Sequence, residues 1–251
     1  MRAAHTHLQK GFTLVELVIV IVLLSVLGVM TSSYIGIGVD LYTDITERDK
    51  ELNSIRFVME RLRREAANAL PNSAVVSDSV DIPDGCLTFT PIIASSIYGS
   101  DFPIAPVSAD EATIAKMAVK INATSATRAT SAVVYLLDHT ELTGNKVWPI
   151  KKYKKDATML KFKSVVSFPF SSPAKRVYII RDDTTYCFSG TELYRKVNKG
   201  ADILMAEDIT GSFNVEDATL QRNGLVQAVF NLNFDGVEVQ IEQTLHISNV
   251  P

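Results

Sequence analysis

A single carboxylate, Glu16, stands inside an apolar stretch in which it is the only formal charge between Lys10 and Asp40. A carboxylate in such a run costs about 2.5–3.5 kcal/mol by membrane-insertion scales, so it asks for a partner or a role. The bland alternative is a glutamate at a lipid interface that snorkels into the headgroups. Other chemistry is sparse. His5 and His7 precede the apolar run, and His139 and His246 have no second ligand at metal spacing, so no metal site is expected. The acidic pairs Asp81/Asp84 and Asp182/Asp183 have calcium-type oxygens, but aspartates also serve turns through local hydrogen bonds. No Gly-x-Ser-x-Gly elbow, P-loop or Gly-rich dinucleotide turn occurs, so neither an enzyme nor a cofactor is expected. Lys151, Lys152, Lys154 and Lys155 around Tyr153 form the one basic cluster. It could meet DNA, anionic lipid or an acidic partner, and reads better as a strand edge guarded by lysines. With a formal net charge of −3, nucleic-acid binding by bulk charge is disfavoured.

Glu16 needs an element to hold it. The apolar run continues from Leu17 to Met30, and about 20 such residues cross the hydrocarbon core of a bilayer as a helix. An ordinary secretory signal places its apolar region before the cleavage site. Here a polar leader carrying Arg2, His5, His7 and Lys10 comes first, ends at Gly11-Phe12, and the apolar run follows. Positive charge before the span and a large domain after it put the N-terminus in the cytoplasm and the C-terminal domain outside. That compartment is oxidising for Cys86 and Cys187, whose wide separation is unlike a zinc motif. A single disulfide is therefore preferred to two free thiols.

Helical periodicity does not end with the apolar run. Ile37, Leu41, Ile45, Leu52, Ile55, Met59, Leu62, Ala66 and Leu70 recur at spacings of three, four or seven, with charged residues on the other faces. Pro71 and Asn72 supply the stop. The expected helix is a membrane half over residues 12–32 and an amphipathic half over 33–70. Gly28, Gly36 and Gly38, with Ser32 and Ser33, either weaken it where it leaves the membrane or permit close helix packing.

The run Lys10-Gly11-Phe12-Thr13-Leu14-Val15-Glu16 with the apolar segment behind it resembles the start of a type IV prepilin or pseudopilin. The resemblance implies that residues 1–11 are a leader which a prepilin peptidase removes between Gly11 and Phe12, and that the same enzyme N-methylates Phe12. Gly11 suits a scissile bond held extended in a protease site, where a missing Cβ lowers the steric cost. The resemblance further implies that Glu16 meets the N-terminal ammonium of a neighbouring subunit during docking. Where many pilins carry a helix-breaking proline, this chain has Ser33.

Beyond Val75 the pattern changes to short runs rich in Val, Ile, Thr, Tyr and Phe, with turn residues between them. Strands are expected at Leu87 to Thr90, Ala132 to Leu137, Met159 to Val166, Arg176 to Arg181, Tyr186 to Phe188, Leu193 to Val197, Gly211 to Val215, Leu225 to Phe234 and Glu238 to Ser248. Asp182-Asp183, Ser189-Gly190 and Asp235-Gly236 read as turns. The last strand alternates wet and apolar positions with one slip, at Gln243. Val177-Tyr178-Ile179-Ile180, Tyr186-Cys187-Phe188, Leu193-Tyr194-Arg195 and Leu245-His246-Ile247-Ser248-Asn249 are similar to the outer domain of larger minor pilins and J-type minor pseudopilins. Glu47-Arg48, Arg56-Phe57-Val58, Glu60-Arg61-Leu62 and Ala69-Leu70-Pro71-Asn72 resemble the O-type minor pilin of the mannose-sensitive haemagglutinin pilus system. Residues 92–130, rich in Ala, Ser and Thr, resemble nothing and are expected as a variable surface excursion. Asn122-Ala123-Thr124 has the form of a glycosylation sequon, a common three-residue pattern.

The fold class that follows is α+β, a pilin fold: a long N-terminal helix, transmembrane and then amphipathic, packed on a mostly antiparallel β-sheet outer domain over residues 71–251. The implied protein is a non-enzymatic subunit, single-pass in the bacterial inner membrane with its domain in the periplasm or at a pilus tip. Its implied partners are the prepilin peptidase and methyltransferase, other minor and major pilins or pseudopilins, an inner-membrane assembly platform and membrane lipid. The rivals are a J-type minor pseudopilin of a type II secretion system and a tip adhesin that binds through residues 92–130.

Overall fold

A computed structural model describes residues 11–122, 130–144, 146–198, 200–218, 222–234 and 236–248. The leader as far as Lys10, most of the sequon at Asn122-Ala123-Thr124, Asp235 of the expected turn and Asn249 lie outside the described residues. Two compact units divide the chain, one ending at Lys50 and the other beginning at Glu51. Helix α1, Leu14–Ala67, supplies the first unit and the opening of the second.

The first unit is helix without a core. Every described residue from Gly11 to Lys50 is exposed, including the apolar series from Leu14 to Ile45. The helix runs through Gly28, Gly36 and Gly38 without a break. The hydroxyls of Ser25, Thr31 and Ser33 donate to the carbonyls of Ile21, Leu27 and Val29, four residues back. Polar side chains thus satisfy themselves on the helix, which is what an apolar solvent demands of them.

The second unit is built on three antiparallel sheets. In chain order the strands are β1 (Val75–Ser77), β2 (Cys86–Phe89), β3 (Ile92–Ile97), β4 (Ala109–Thr113), β5 (Ile121–Asn122), β6 (Ser131–Val133), β7 (Val147–Tyr153) and β8 (Met159–Val166). They continue with β9 (Arg176–Ile180), β10 (Thr184–Ser189), β11 (Glu192–Val197), β12 (Ile203–Ala206), β13 (Ile209–Glu216), β14 (Gly224–Phe234) and β15 (Val237–Ile247). One sheet has the order β1-β2-β10-β11-β12 and a second β13-β14-β15; the third has β3-β9-β6-β7-β8-β4, with β5 paired to β7.

The amphipathic stripe of the helix explains the first lobe. Ile55, Val58, Leu62 and Ala66 are buried against Leu87, Phe89, Tyr186, Phe188 and Leu193 of the five-stranded sheet and Phe213, Val226, Phe230 and Leu245 of the three-stranded one. Period 3.6 meets period 2 in one core. The third sheet covers its own core on one face, with Tyr98, Phe102, Phe162 and Phe168 at its centre. Its other face joins Val133, Tyr178 and Ile180 to Leu70, so the chain leaving the helix is clamped between lobes. The expected α+β fold, helix on antiparallel sheet, is the one observed.

Several expectations need correction. The helix ends at Ala67 rather than Leu70, because the residues after it are drawn into a sheet-like contact: Leu70 N–H donates to Thr90, Ile92 N–H donates to Asn68, and Ala69 bridges Pro91. The described residues 92–122 of the expected 92–130 excursion do not form one. They supply β3, β4 and β5, and Tyr98, Phe102, Ile114, Met117 and Ile121 are core residues. The lysine cluster flanks no edge, since β7 pairs with β6 and then β5 along one side and with β8 on the other. Tyr153 is fully buried there, its hydroxyl accepting from Met117 N–H and donating to Ala157, while the four lysines stay exposed. The strand expected at Ala132 to Leu137 stops at Val133, and Tyr135 has φ of 53°. Gln243 is no slip. It pairs with Ala228 in unbroken register and joins the inward row of Val239, Ile241, Leu245 and Ile247.

Turns obey their chemistry. Gly236 (φ 84°) lies in the two-residue connection between Phe234 and Val237 and donates its N–H to Asn233, and Gly190 (φ 57°) follows Ser189. Gly211 is constrained differently: a Cβ there would sit 2.1 Å from the Val229 carbonyl oxygen and 2.6 Å from Phe188 Cζ. Gly211→Ala is expected to cost about 2 kcal/mol by overpacking. Thermal unfolding of the detergent-solubilised chain checks it, and an unchanged midpoint would contradict the packing described.

Candidate functional site

At the N-terminus the described chain begins with Gly11, Phe12 and Thr13 in non-helical conformation, all exposed, and the helix starts at Leu14. Thr13 is its cap: Glu16 N–H donates to Thr13 Oγ1 at 3.3 Å, and Leu17 N–H to the Thr13 carbonyl at 3.2 Å. Glu16 therefore occupies the first turn of the helix, where a carboxylate complements the unsatisfied N–H groups and the positive end of the helix dipole. The spacing Thr-x-x-Glu was present in the sequence as a capping signal that the membrane reading passed over. Gly11, Phe12 and Glu16 thus form one exposed segment, an accessible peptide bond followed at once by rigid helix. The helix behind it is long and apolar enough to cross a membrane. It suits an anchor in the inner membrane.

Cys86 and Cys187 are opposed residues of β2 and β10, with Cα atoms 4.0 Å apart, and their sulfurs are bonded. The bond ties β2, the second strand of the outer domain, to β10 at the centre of the five-stranded sheet. Asp182 and Asp183 accept hydrogen bonds from distant parts of the chain: Asp183 from Thr90 Oγ1 at 2.6 Å and Asp182 from Asn198 Nδ2 at 2.9 Å. His139 lies beside Asp138 at 3.6 Å, and His246 is exposed on β15. Among the described residues no group of three or more His, Cys, Asp or Glu could hold a metal ion.

Sequence reasoning missed a polar cluster beside the helix. Glu65 accepts from Arg61 Nε at 3.1 Å, from Arg195 Nε at 3.0 Å and from the Tyr186 hydroxyl at 2.9 Å. Burial, and then the charge of Glu65, raise the Tyr186 hydroxyl well above its ordinary pKa, so it remains a donor. Arg195 also lies over the Tyr186 ring. Next to this cluster Phe57, Arg61, Arg64, Glu65, Asn68 and Pro91 line a surface groove of about 420 Å³. Nothing local pairs Glu65 with residues more than a hundred positions away, and only the helical spacing of Phe57, Arg61 and Arg64 was visible in advance. A second missed group is Lys146, buried with its Nζ donating to Glu141 at 2.6 Å and lying over the Phe170 ring. It anchors a turn, His139–Thr143, that Asp138 caps.

The prokaryotic N-terminal methylation motif matches residues 6–32, spanning the leader end, the Gly11-Phe12 bond, Glu16 and the apolar run. No curated protein and no solved structure matches the chain. A segment of this kind implies processing by a prepilin peptidase. The N-terminal segment is accordingly that of the type IV prepilin and pseudopilin-like family, whose members are generally non-enzymatic structural proteins.

Proposed function

We propose that the chain is a minor pilin-like structural subunit of a type IV pilus of the mannose-sensitive haemagglutinin kind, which initiates or caps the fibre. The observation that carries this reading is the methylation motif joined without interruption to an apolar helix whose described residues are exposed through Lys50. A helix of that composition must be covered by lipid while the subunit waits in the membrane, and by the helices of other subunits once it is in a fibre. Cleavage between Gly11 and Phe12 frees an ammonium, and methylation of Phe12 keeps its charge. Glu16, one helical turn away, then offers the counter-charge to a neighbour's ammonium. The assembly platform supplies the work of extraction, and the disulfide-tied outer domain stays in the periplasm.

Deleting the gene in a bacterium that makes such pili should abolish surface fibres, and the tagged full-length chain should co-purify with other pilins. Loss of protein secretion with fibres intact would instead assign the chain to the J-type minor pseudopilins. Normal fibres with lost binding to carbohydrate or cell surfaces would make it an adhesin.

A further inference from the structure

Two exposed stripes of opposite charge on helix α1 share one spacing. Asp40, Asp44 and Glu47 recur at four and then three residues, are exposed, and form no ion pair among the described residues. Phe57, Arg61 and Arg64 also recur at four and then three, line the groove beside Pro91, and leave Phe57 54% exposed. On a helix that spacing brings three side chains onto one face. We infer that the groove of Phe57, Arg61 and Arg64 receives the Asp40–Asp44–Glu47 face of a second copy of this chain, with Asp44 meeting Arg61 and Glu47 meeting Arg64. The inference rests on the fibre-subunit reading and names the partner surface within it.

Direction follows from the spacing. Both stripes run four then three toward the C-terminus, so only parallel helices bring all three positions into register together, with Asp40 opposite Phe57. Because the joined faces differ, the contact is heterologous and can repeat from copy to copy, as a two-fold contact cannot. An aromatic followed by two arginines on one face is also the composition of a binding hot spot. Leu41 and Ile45, both more than half exposed, run beside the acidic face, so docking would cover apolar surface together with the ion pairs. Exposed ion pairs add little affinity each. Their complementarity selects orientation and register.

Arg61 already donates to Glu65, and Arg64 lies 3.6 Å from Glu60. Both pairs engage Nε, so the Nη donors of each guanidinium remain for an incoming carboxylate. The test uses two full-length chains co-expressed in a pilus-forming bacterium, one carrying Glu47→Cys and the other Arg64→Cys, treated with a short bifunctional maleimide. The bonded Cys86 and Cys187 do not react. The mixed pair should give at least tenfold more 47-to-64 adduct, mapped by mass spectrometry, than either variant alone. Adding Asp44→Lys should lower that yield at least fivefold, whereas Asp44→Glu should preserve it. Wild-type chain recruited to fibres with no excess of mixed adduct would overturn the docking and leave the fibre reading standing. Attachment of the Arg64→Cys chain to a different subunit would overturn the second copy as occupant. Absence of the wild-type chain from fibres would overturn both.

Discussion

Glu16→Ala is expected to leave cleavage at Gly11-Phe12 and membrane insertion intact while abolishing co-purification with partner subunits. The expectation turns on two opposed effects of one substitution. If Glu16 only sits in lipid as a helix cap, removing it eases insertion by a few kcal/mol at most and weakens the first turn by about 1 kcal/mol. Thr13 still caps the helix in either case. If Glu16 answers the ammonium of Phe12 on a neighbour, alanine leaves a positive charge without its partner in low dielectric. Breaking one side of a buried pair costs about 3–5 kcal/mol, enough to reduce recruitment by two orders of magnitude or more. Glu16→Asp keeps the charge and should recover part of the recruitment. A Glu16→Ala chain that enters fibres at the wild-type level would remove this carboxylate from assembly.

The other large effect is expected in the outer domain. Glu65 holds three donors at once, and the Arg195 side chain is only 12% exposed while Tyr186 is fully buried. Glu65→Ala leaves a largely buried guanidinium and a buried hydroxyl without their acceptor. The expected loss is about 3 kcal/mol, at the lower end of the range for a broken buried pair because Glu65 itself keeps some contact with water. Pairing the change with Arg195→Leu should restore much of the stability, since the stranded charge goes with it. Denaturant unfolding of the solubilised full chain gives the comparison. A single Glu65→Ala loss below about 0.5 kcal/mol would mean that the cluster is satisfied by water instead.

The sequence carried the helix and the late strands clearly because their signals are local. Helical spacing from Ile55 to Ala66 and alternation from Leu225 to Ile247 each report one buried face, and Gly190 and Gly236 mark turns that need positive φ. The strands between Ile92 and Asn122 were illegible for a physical reason. β3 and β4 fully bury only Ser96 and Ala112, and the aromatic and aliphatic anchors of that lobe, Tyr98, Phe102, Ile114 and Met117, sit between strands rather than in them. A strand without alternation looks like a loop. β7 was hidden differently, since its lysines point to solvent from a strand that is paired on both sides. At the N-terminus the motif named Gly11, Phe12 and Glu16 directly, but the contact proposed for Glu16 belongs to a second subunit. No pattern within one chain can display it.

Mass spectrometry of the chain purified from membranes of a bacterium that makes prepilin peptidase tests the central claim most directly. The account predicts a mature N-terminus at Phe12, shifted by one methyl group on the α-amine, with residues 1–11 gone. A mature pool that retains Met1, or begins at a residue other than Phe12, would contradict it.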